Sequence, residues 1–329
     1  MKLKRRTCIS ALLATALPGL QAQTQSNGTT VIDETWLDAT RQRELPVKLR
    51  WPDAATAQNG PLPVVLFSHG LGGTREGGAV WGQAWAAAGF VVLHLQHPGS
   101  DLAAVKAVTS TFTDKQALRL AASPAQLLAR LLDVTFALDE IGRRHAARQG
   151  RWRTVRPTQI GMSGHSFGAH TTLGMAGQRY PGFEGIAEPR LAAFIAFSPS
   201  LPAAGDASKA FDRMTRPMLC LTGTLDADVA GNNSTPERRM AVFDALPAGD
   251  KAQLVLRDAD HMTFAGQLGR AVEIIQREQV TRDLQGAHHA LMASVSSDWW
   301  RATLLGDSAA RGRLAAPQGL RQGDIWRQK

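Results

Sequence analysis

Short apolar runs alternate with amphipathic stretches along most of this chain. Six runs are apolar on both faces of a strand, and they cover 61–68, 90–95, 158–162, 191–197, 217–221 and 252–257. Strands that are buried beneath helices on both sides require such runs. Between them, the spacing of apolar residues predicts helices over 79–88, 124–145, 167–179 and 235–246. Alternating strands and helices are typical of a mostly parallel, doubly wound α/β sheet.

The two ends of this alternating core have different patterns. Residues 30–51 alternate polar and apolar positions around Arg41-Gln42-Arg43-Glu44, which predicts an antiparallel hairpin at the edge of the sheet. Trp299 and Trp300 are expected to pack the last helix onto the sheet. The polar segment from about 309 to 329 is expected to be a loosely docked tail. Together these features favour a single domain over 23–329.

The first 22 residues have the pattern of a secretory signal peptide. A basic segment over 2–6 precedes a short apolar segment over 8–17, and Leu20-Gln21-Ala22 resembles a cleavage site. The apolar segment is shorter than the roughly 20 residues that span a bilayer. We therefore expect a secreted or periplasmic protein without an integral membrane segment in its mature chain. The alternative is a basic, disordered tail.

Charge and cysteine content exclude several classes of protein. The chain has 37 basic and 28 acidic residues, a net charge of +9, and four of the basic residues lie in the first thirty, which contain no acidic residue. The remaining 33 minus 28 charges, or +5, do not indicate a nucleic-acid partner. The arginines between 143 and 156 are expected at a solvated helix end. Two cysteines, Cys8 and Cys220, exclude a disulfide scaffold and a four-cysteine zinc site.

The strongest chemical motif is Gly164-His165-Ser166-Phe167-Gly168. It follows the predicted strand 158–162 and begins the predicted helix 167–179, which is the context of a G-x-S-x-G nucleophile elbow. The turn between strand and helix is so tight that only glycine fits two residues to either side of the serine. Ser166 is therefore the candidate nucleophile.

A nucleophilic serine requires a base and an acid that orients the base. In chain order these should follow Ser166. His261 comes directly after the predicted strand 252–257 and is the candidate base, whereas the other histidines precede the serine, adjoin it or lie in a helical pattern. Asp226 follows the predicted strand 217–221 and is the candidate acid, with Asp228 as the alternative.

The tetrahedral intermediate of such a reaction needs two N–H donors for its oxyanion. The backbone N–H of Phe167, directly after the nucleophile, is one candidate. Leu71, in the glycine-rich loop His69-Gly70-Leu71-Gly72-Gly73 after the first predicted parallel strand, is the other. We expect His69 to support this turn. The loop lacks the third glycine of a dinucleotide-binding motif, and His94 and His97 lack a third metal ligand, so neither cofactor nor metal is expected.

At this point the chain resembles the α/β-hydrolase superfamily, and within it secreted predicted dienelactone hydrolases and platelet-activating-factor acetylhydrolase-like esterases. The resemblance depends on four segments: Phe67-Ser68-His69-Gly70-Leu71-Gly72-Gly73, Leu95-Gln96-His97-Pro98-Gly99, Gly164-His165-Ser166-Phe167-Gly168 and His261-Met262-Thr263-Phe264. True dienelactone hydrolases use a cysteine nucleophile, whereas this chain has Ser166. The resemblance implies hydrolysis of small-molecule carboxylic esters through an acyl-enzyme, without a cofactor.

Two other functions are compatible with the same motifs. A peptidase or acyltransferase could use the same Ser-His-Asp triad on an amide or on another acceptor. A catalytically inactive hydrolase fold could serve as a binding module, although a binder has no need of all three residues. We expect the substrate pocket to depend on the segments around Trp81 and Trp85 and on 201–211.

Overall fold

The computed structural model describes residues 23–26, 29–53, 60–109, 114–227, 234–267 and 277–329. Residues 1–22, the predicted signal peptide, lie outside these ranges. Asp228, the alternative acid, also lies outside them.

The described strands form one sheet. Their bounds are β1 (Gln23–Ser26), β2 (Thr29–Asp38), β3 (Arg43–Pro52), β4 (Leu62–Ser68), β5 (Val91–Leu95), β6 (Val155–His165), β7 (Leu191–Phe197), β8 (Met218–Leu225), β9 (Lys251–Asp260) and β10 (Ile325–Gln328). The order across the sheet is β1-β2-β3-β5-β4-β6-β7-β8-β9-β10. The central strands from β5 to β9 are parallel, while β1–β3 and β10 are antiparallel to their neighbours. The predicted parallel sheet with an antiparallel hairpin is confirmed.

Helices cover both faces of the sheet. Their bounds are α1 (Ala79–Ala87), α2 (Leu102–Val108), α3 (Lys115–Ala121), α4 (Pro124–Ala146), α5 (Phe167–Met175), α6 (Ala207–Phe211), α7 (Pro236–Ala245), α8 (Gln279–Leu304) and α9 (Ser308–Ala315). Helix α4 begins where the sequence predicts, because the Ser123 side chain caps it and Pro124 occupies its first turn. Among the described residues, no helix is long and apolar enough to cross a membrane.

Each face of the sheet has its own apolar core. The core on one side includes residues of α4, α5 and α7, such as Leu131, Leu173 and Val242. The core on the other side lies beneath α1, α8 and α9, and four fully buried tryptophans fill much of it: Trp81, Trp85, Trp299 and Trp300. Burying side chains of this size provides much of the apolar stabilisation of a domain.

The tryptophans of α8 confirm one expectation, and those of α1 correct another. The Trp299 indole donates to the carbonyl oxygen of Phe194 in β7, and Trp300 packs over Gly161 in β6, so both hold α8 against the sheet. Trp81 and Trp85, however, do not lie in loops beside a pocket. They point from α1 into the core, where the Trp81 ring stacks on Phe197.

The C-terminal segment is part of the fold, so the expectation of a loosely docked tail is wrong. Residues 325–328 form β10, which pairs with 252–255 of β9. The Trp326 indole donates to the Leu314 carbonyl oxygen in α9, and Arg327 forms an ion pair with Asp244 in α7. The segment is polar because it forms an edge strand, where only part of each side chain is covered.

The order of the strands determines where a site can form. From β4 the chain continues to β5 on one side, while β6 lies on the other side of β4. Open α/β sheets bind ligands in the crevice at such a reversal, outside the carboxyl ends of the strands. The loop after β4 and the turn after β6, which carry Leu71 and Ser166, both lie at this edge.

Candidate active site

Ser166 occupies the tight turn between β6 and α5. Its backbone has φ 56° and ψ −113°, a conformation that is strained for a residue with a side chain. The Ser166 N–H donates to the Phe197 carbonyl oxygen at 3.0 Å, which ties the strained residue to β7. A methyl group on Gly168 would overlap the Ser68 carbonyl oxygen, and one on Gly164 would overlap Gly168. The two glycines therefore permit the close approach that the turn requires.

The structure brings together the three residues that the sequence singled out. The Ser166 Oγ lies 2.9 Å from His261 Nε2, and His261 Nδ1 lies 2.8 Å from Asp226 Oδ1. Since a carboxylate only accepts hydrogen bonds, Nδ1 carries the proton and Nε2 is free to accept the serine hydroxyl. The chain of hydrogen bonds therefore has the polarity that activates a serine.

Asp226 is fully buried and fully paired. Its Oδ1 accepts from His261 and lies 2.9 Å from Nε of Arg239, while its Oδ2 accepts from the hydroxyls of Ser198 at 2.6 Å and Thr222 at 2.9 Å. Burial opposes ionisation, but the Arg239 charge and the hydrogen bonds outweigh it and hold the pKa of Asp226 below its usual value. The carboxylate is therefore charged at neutral pH.

Arg239, on α7, was not predicted from the sequence. It is almost completely buried, and besides the carboxylate it bonds the main-chain oxygens of Asp226 and Ser198 at 2.9 and 2.7 Å. These contacts join the ends of β7 and β8. From the sequence, an arginine in a short helix with other charged residues is expected on the surface. Only its spacing from Val242 and Phe243, which lie on the same buried face of α7, could have indicated that Arg239 is buried.

His165 lies directly against His261. Its Nε2 lies 3.0 Å from the carbonyl oxygen of His261, and the two rings are 4.7 Å apart. Burial and the neighbouring His261 lower the pKa of His165 well below its usual value. The ring is therefore neutral, and its N–H fixes the backbone of His261.

The loop after β4 lies against the nucleophile. Gly70 is so close that an added methyl group would lie 3.5 Å from Ser166 Cβ. The Leu71 side chain packs against Val105 and Leu118 of α2 and α3. Among the described residues, neither the backbone N–H of Leu71 nor that of Phe167 donates a hydrogen bond to a main-chain oxygen of another element or loop.

A second serine–histidine–aspartate chain lies beneath this loop. The Ser68 Oγ is 2.9 Å from His97 Nε2, and His97 Nδ1 is 3.0 Å from Asp133, which also accepts from Arg41 and Arg43. Burial and a nearby arginine charge lower the pKa of His97 to about 4, and hydrogen bonds lower that of Asp133 to about 2 against the effect of burial. Ser68, His97 and Asp133 are completely buried, so these three hydrogen-bonded side chains support the loop and do not contact substrate.

His69 has the supporting place that the sequence indicated. Its Nε2 accepts from the His97 N–H at 3.0 Å, and its Nδ1 donates to the Gly70 carbonyl oxygen at 2.6 Å. His94 lies apart from it and bonds the Gly77 carbonyl oxygen. In the part of the chain that the structure describes, no three His, Cys, Asp or Glu side chains are grouped to hold a metal ion.

Two of three comparisons with known proteins found similarities to this chain. A family model described as platelet-activating factor acetylhydrolase, isoform II, matches residues 30–130, from the hairpin through the glycine-rich loop into α4. Two structures of a cold-adapted esterase from an Arctic intertidal metagenomic library, one native and one bound to PEG, are similar at 15% identity. They cover 80% of this chain and 96% of theirs, with TM-scores of 0.47 and 0.49. No curated protein matches the chain.

The sheet topology defines an α/β-hydrolase fold. The family model covers 101 of the 329 residues, so it shows similarity to the acetylhydrolase family over that segment only.

Proposed function

We propose that this protein hydrolyses small-molecule carboxylic esters with Ser166 as nucleophile, His261 as general base and Asp226 as the orienting acid. The observation that carries the proposal is the unbroken chain of hydrogen bonds, 2.9 and 2.8 Å long, from Ser166 through His261 to Asp226. A free serine hydroxyl is a poor nucleophile at neutral pH, and this arrangement supplies the base that it lacks.

In the first half of the reaction, Ser166 Oγ attacks the ester carbonyl carbon while its proton passes to His261 Nε2. Asp226 stabilises the imidazolium that results. The backbone N–H groups of Leu71 and Phe167 bind the oxyanion. When the tetrahedral intermediate collapses, the bond to the alcohol oxygen breaks, His261 returns its proton to the leaving alcohol, and an acyl-enzyme remains.

In the second half, a water molecule replaces the alcohol. His261 Nε2 accepts a proton from the water as its oxygen attacks the acyl carbonyl, and the same two N–H groups bind the second oxyanion. The bond to Ser166 Oγ then breaks, the carboxylic acid leaves, and Ser166 regains its proton from His261. Every step uses side chains and backbone groups of the protein, so the proposal requires neither a cofactor nor a metal.

We also propose that residues 1–22 direct export and that 23–329 form the mature, secreted or periplasmic domain. The basic and apolar segments and the small cleavage-site residue support this proposal. Cys220 is fully buried, and burial raises its pKa to about 12, so this thiol is unreactive in an oxidising compartment. Mass spectrometry of the exported protein should find a new N-terminus close to Gln23.

Replacing the nucleophile tests the proposed function directly. With p-nitrophenyl esters of increasing acyl length, Ser166→Ala should remain folded and lose activity by roughly 10³-fold or more. Ser163→Ala is a matched control, because Ser163 lies in β6 three residues before Ser166, and its hydroxyl donates to the Leu66 carbonyl oxygen and has no place in the reaction. Near-normal turnover in Ser166→Ala would contradict the proposal.

A further inference from the structure

Arg130, on α4, is completely buried beneath the glycine-rich loop and has no part in the triad. Its Nη1 donates to the His69 carbonyl oxygen at 2.7 Å, its Nε donates to the Ser100 hydroxyl at 2.8 Å, and its Nη2 lies 3.5 Å from the Gly70 carbonyl oxygen. The guanidinium carbon lies 4.3 Å from the centre of the Phe167 ring. One cation therefore contacts both segments that carry the proposed oxyanion donors.

The partners of Arg130 in this loop are carbonyl oxygens. Its Nη2 also lies 3.2 Å from His69 Nδ1, but that nitrogen already donates to Gly70, because Nε2 of the same ring accepts from His97. Two donors cannot bond each other, so the guanidinium is directed at the main chain of the loop.

Arg130 remains charged at neutral pH. Burial lowers its pKa to about 9, and the opposite charges of Asp133 and Asp101 limit the decrease. A buried charge is costly unless it is paired and hydrogen-bonded, so a completely buried arginine with several well-directed bonds fixes the groups around it.

The geometry of one peptide plane connects this cation to the oxyanion. The Gly70 carbonyl and the Leu71 N–H belong to the same planar, trans peptide, so they point in opposite directions. His69 at 2.6 Å, the Gly73 N–H at 3.0 Å and Arg130 at 3.5 Å all face this carbonyl oxygen, so the Leu71 N–H points away from the guanidinium. A cation beside the carbonyl also polarises the peptide and strengthens its N–H as a donor.

Phe167 connects Arg130 to the second proposed oxyanion donor. Its ring lies beneath the guanidinium in a cation–π contact, and its backbone N–H is the other proposed donor, at the first residue of α5. Moving Arg130 would therefore disturb both donors at once.

We propose that Arg130 is a positioning residue for the oxyanion hole, which aligns the Leu71 and Phe167 N–H groups from behind. The inference rests on the proposed function. It assigns Arg130 an effect on oxyanion stabilisation in addition to its contribution to folding.

Matched esters that differ only at the carbonyl atom test the inference. A thionoester, with C=S in place of C=O, develops its negative charge on sulfur, which accepts hydrogen bonds weakly. The ratio of kcat/KM for the oxoester to that for the thionoester therefore reports on the oxyanion donors. Arg130→Lys, which keeps the charge but loses the planar fork, and Arg130→Met, which loses both, should each lower this ratio by about tenfold or more.

Two further variants make the result decisive. Phe167→Leu keeps the backbone N–H but removes the ring beneath the guanidinium, so it should lower the ratio even if Arg130→Met does not fold. Arg144→Lys is the matched control, since Arg144 likewise lies on α4 and contacts aromatic rings, although it bonds carboxylates and lies 14 residues, or about 21 Å, farther along the helix. Its ratio should equal that of the parent protein, whatever its stability.

The possible outcomes separate the two proposals. A lower ratio in Arg130→Lys and Phe167→Leu, with the parent ratio in Arg144→Lys, supports the inference. If Arg130→Lys loses kcat/KM equally for both esters, its role is merely structural and the inference is wrong. If Ser166→Ala in the same assay still turns over both esters, the proposed function itself fails.

Discussion

The structure makes a specific prediction for the activity that remains when the buried acid Asp226 is replaced by its amide, asparagine. Asp226→Asn keeps the shape of the side chain but replaces one acceptor oxygen by an NH₂ group. If that group faced His261, it would donate to Nδ1, the proton would move to Nε2, and the imidazole could no longer accept from Ser166. The partners of Asp226 determine which orientation is adopted.

Those partners favour the productive orientation. On one side lie the donor His261 Nδ1 and the charged guanidinium of Arg239, which cannot accept a hydrogen bond. On the other side lie the hydroxyls of Ser198 and Thr222, which can rotate and accept from an amide. We therefore expect the amide oxygen to face His261 and the NH₂ group to face the hydroxyls.

The predicted loss of activity then results only from the loss of the negative charge of Asp226. Charge centres about 4 Å apart attract by about 4 kcal/mol at an effective dielectric constant near 20, which corresponds to about 10³-fold in rate. Asp226→Ala, which removes the orienting acceptor as well, should be slower than Asp226→Asn. The assay is kcat/KM for a p-nitrophenyl ester at constant pH, with the folding of each variant checked by its circular dichroism spectrum.

Two results would refute this reasoning. If Asp226→Asn is slower than Asp226→Ala, the amide faces His261 with its NH₂ group, and the argument from Ser198 and Thr222 is wrong. If Asp226→Asn is nearly unimpaired while Asp228→Asn is strongly impaired, the acid is Asp228.

Three further predictions concern the support of the site. Gly168→Ala should lower the melting temperature and abolish hydrolysis, because its methyl group overlaps Ser68, whereas Gly142→Ala, in open space, should do neither. Burial lowers the pKa of His94 to about 3 and of His97 to about 4, so near pH 5 these two residues alone bind about two more protons in the unfolded chain. The free energy of unfolding in urea titrations should therefore fall by at least about 2–3 kcal/mol for each unit by which the pH is lowered there; a constant value would contradict it. EDTA should leave hydrolysis unchanged, and a loss that zinc restores would overturn the metal-free mechanism.

The sequence predicts those parts of the fold in which neighbouring helices or strands constrain every residue of a segment. The strand over 191–197 is apolar throughout because helices cover both of its faces, and the structure has it with the same bounds. The serine turn is predictable for a similar reason, since the glycines that it requires are adjacent in the chain. Local patterns therefore indicate the sheet and the nucleophile.

Contacts between distant segments leave no such pattern. Strand β10 has two apolar and two polar residues and leaves Ile325 exposed, so only its pairing with β9 makes it a strand. Arg130 and Arg239 lie in amphipathic helices, where arginine normally marks the solvent side, and their partners are main-chain oxygens of other segments. A main-chain oxygen has no signature in a sequence, so the structure was needed to find the partners of these two residues.

The central claim is that Ser166 is a nucleophile activated by His261. The most direct measurement is labelling of the whole protein with a fluorophosphonate, followed by peptide mapping with mass spectrometry. We expect one labelled residue, Ser166, in the parent protein and no label in His261→Ala, because the reagent reacts only with an activated serine. Labelling at another residue, or no labelling of a folded parent protein that hydrolyses esters, would contradict it.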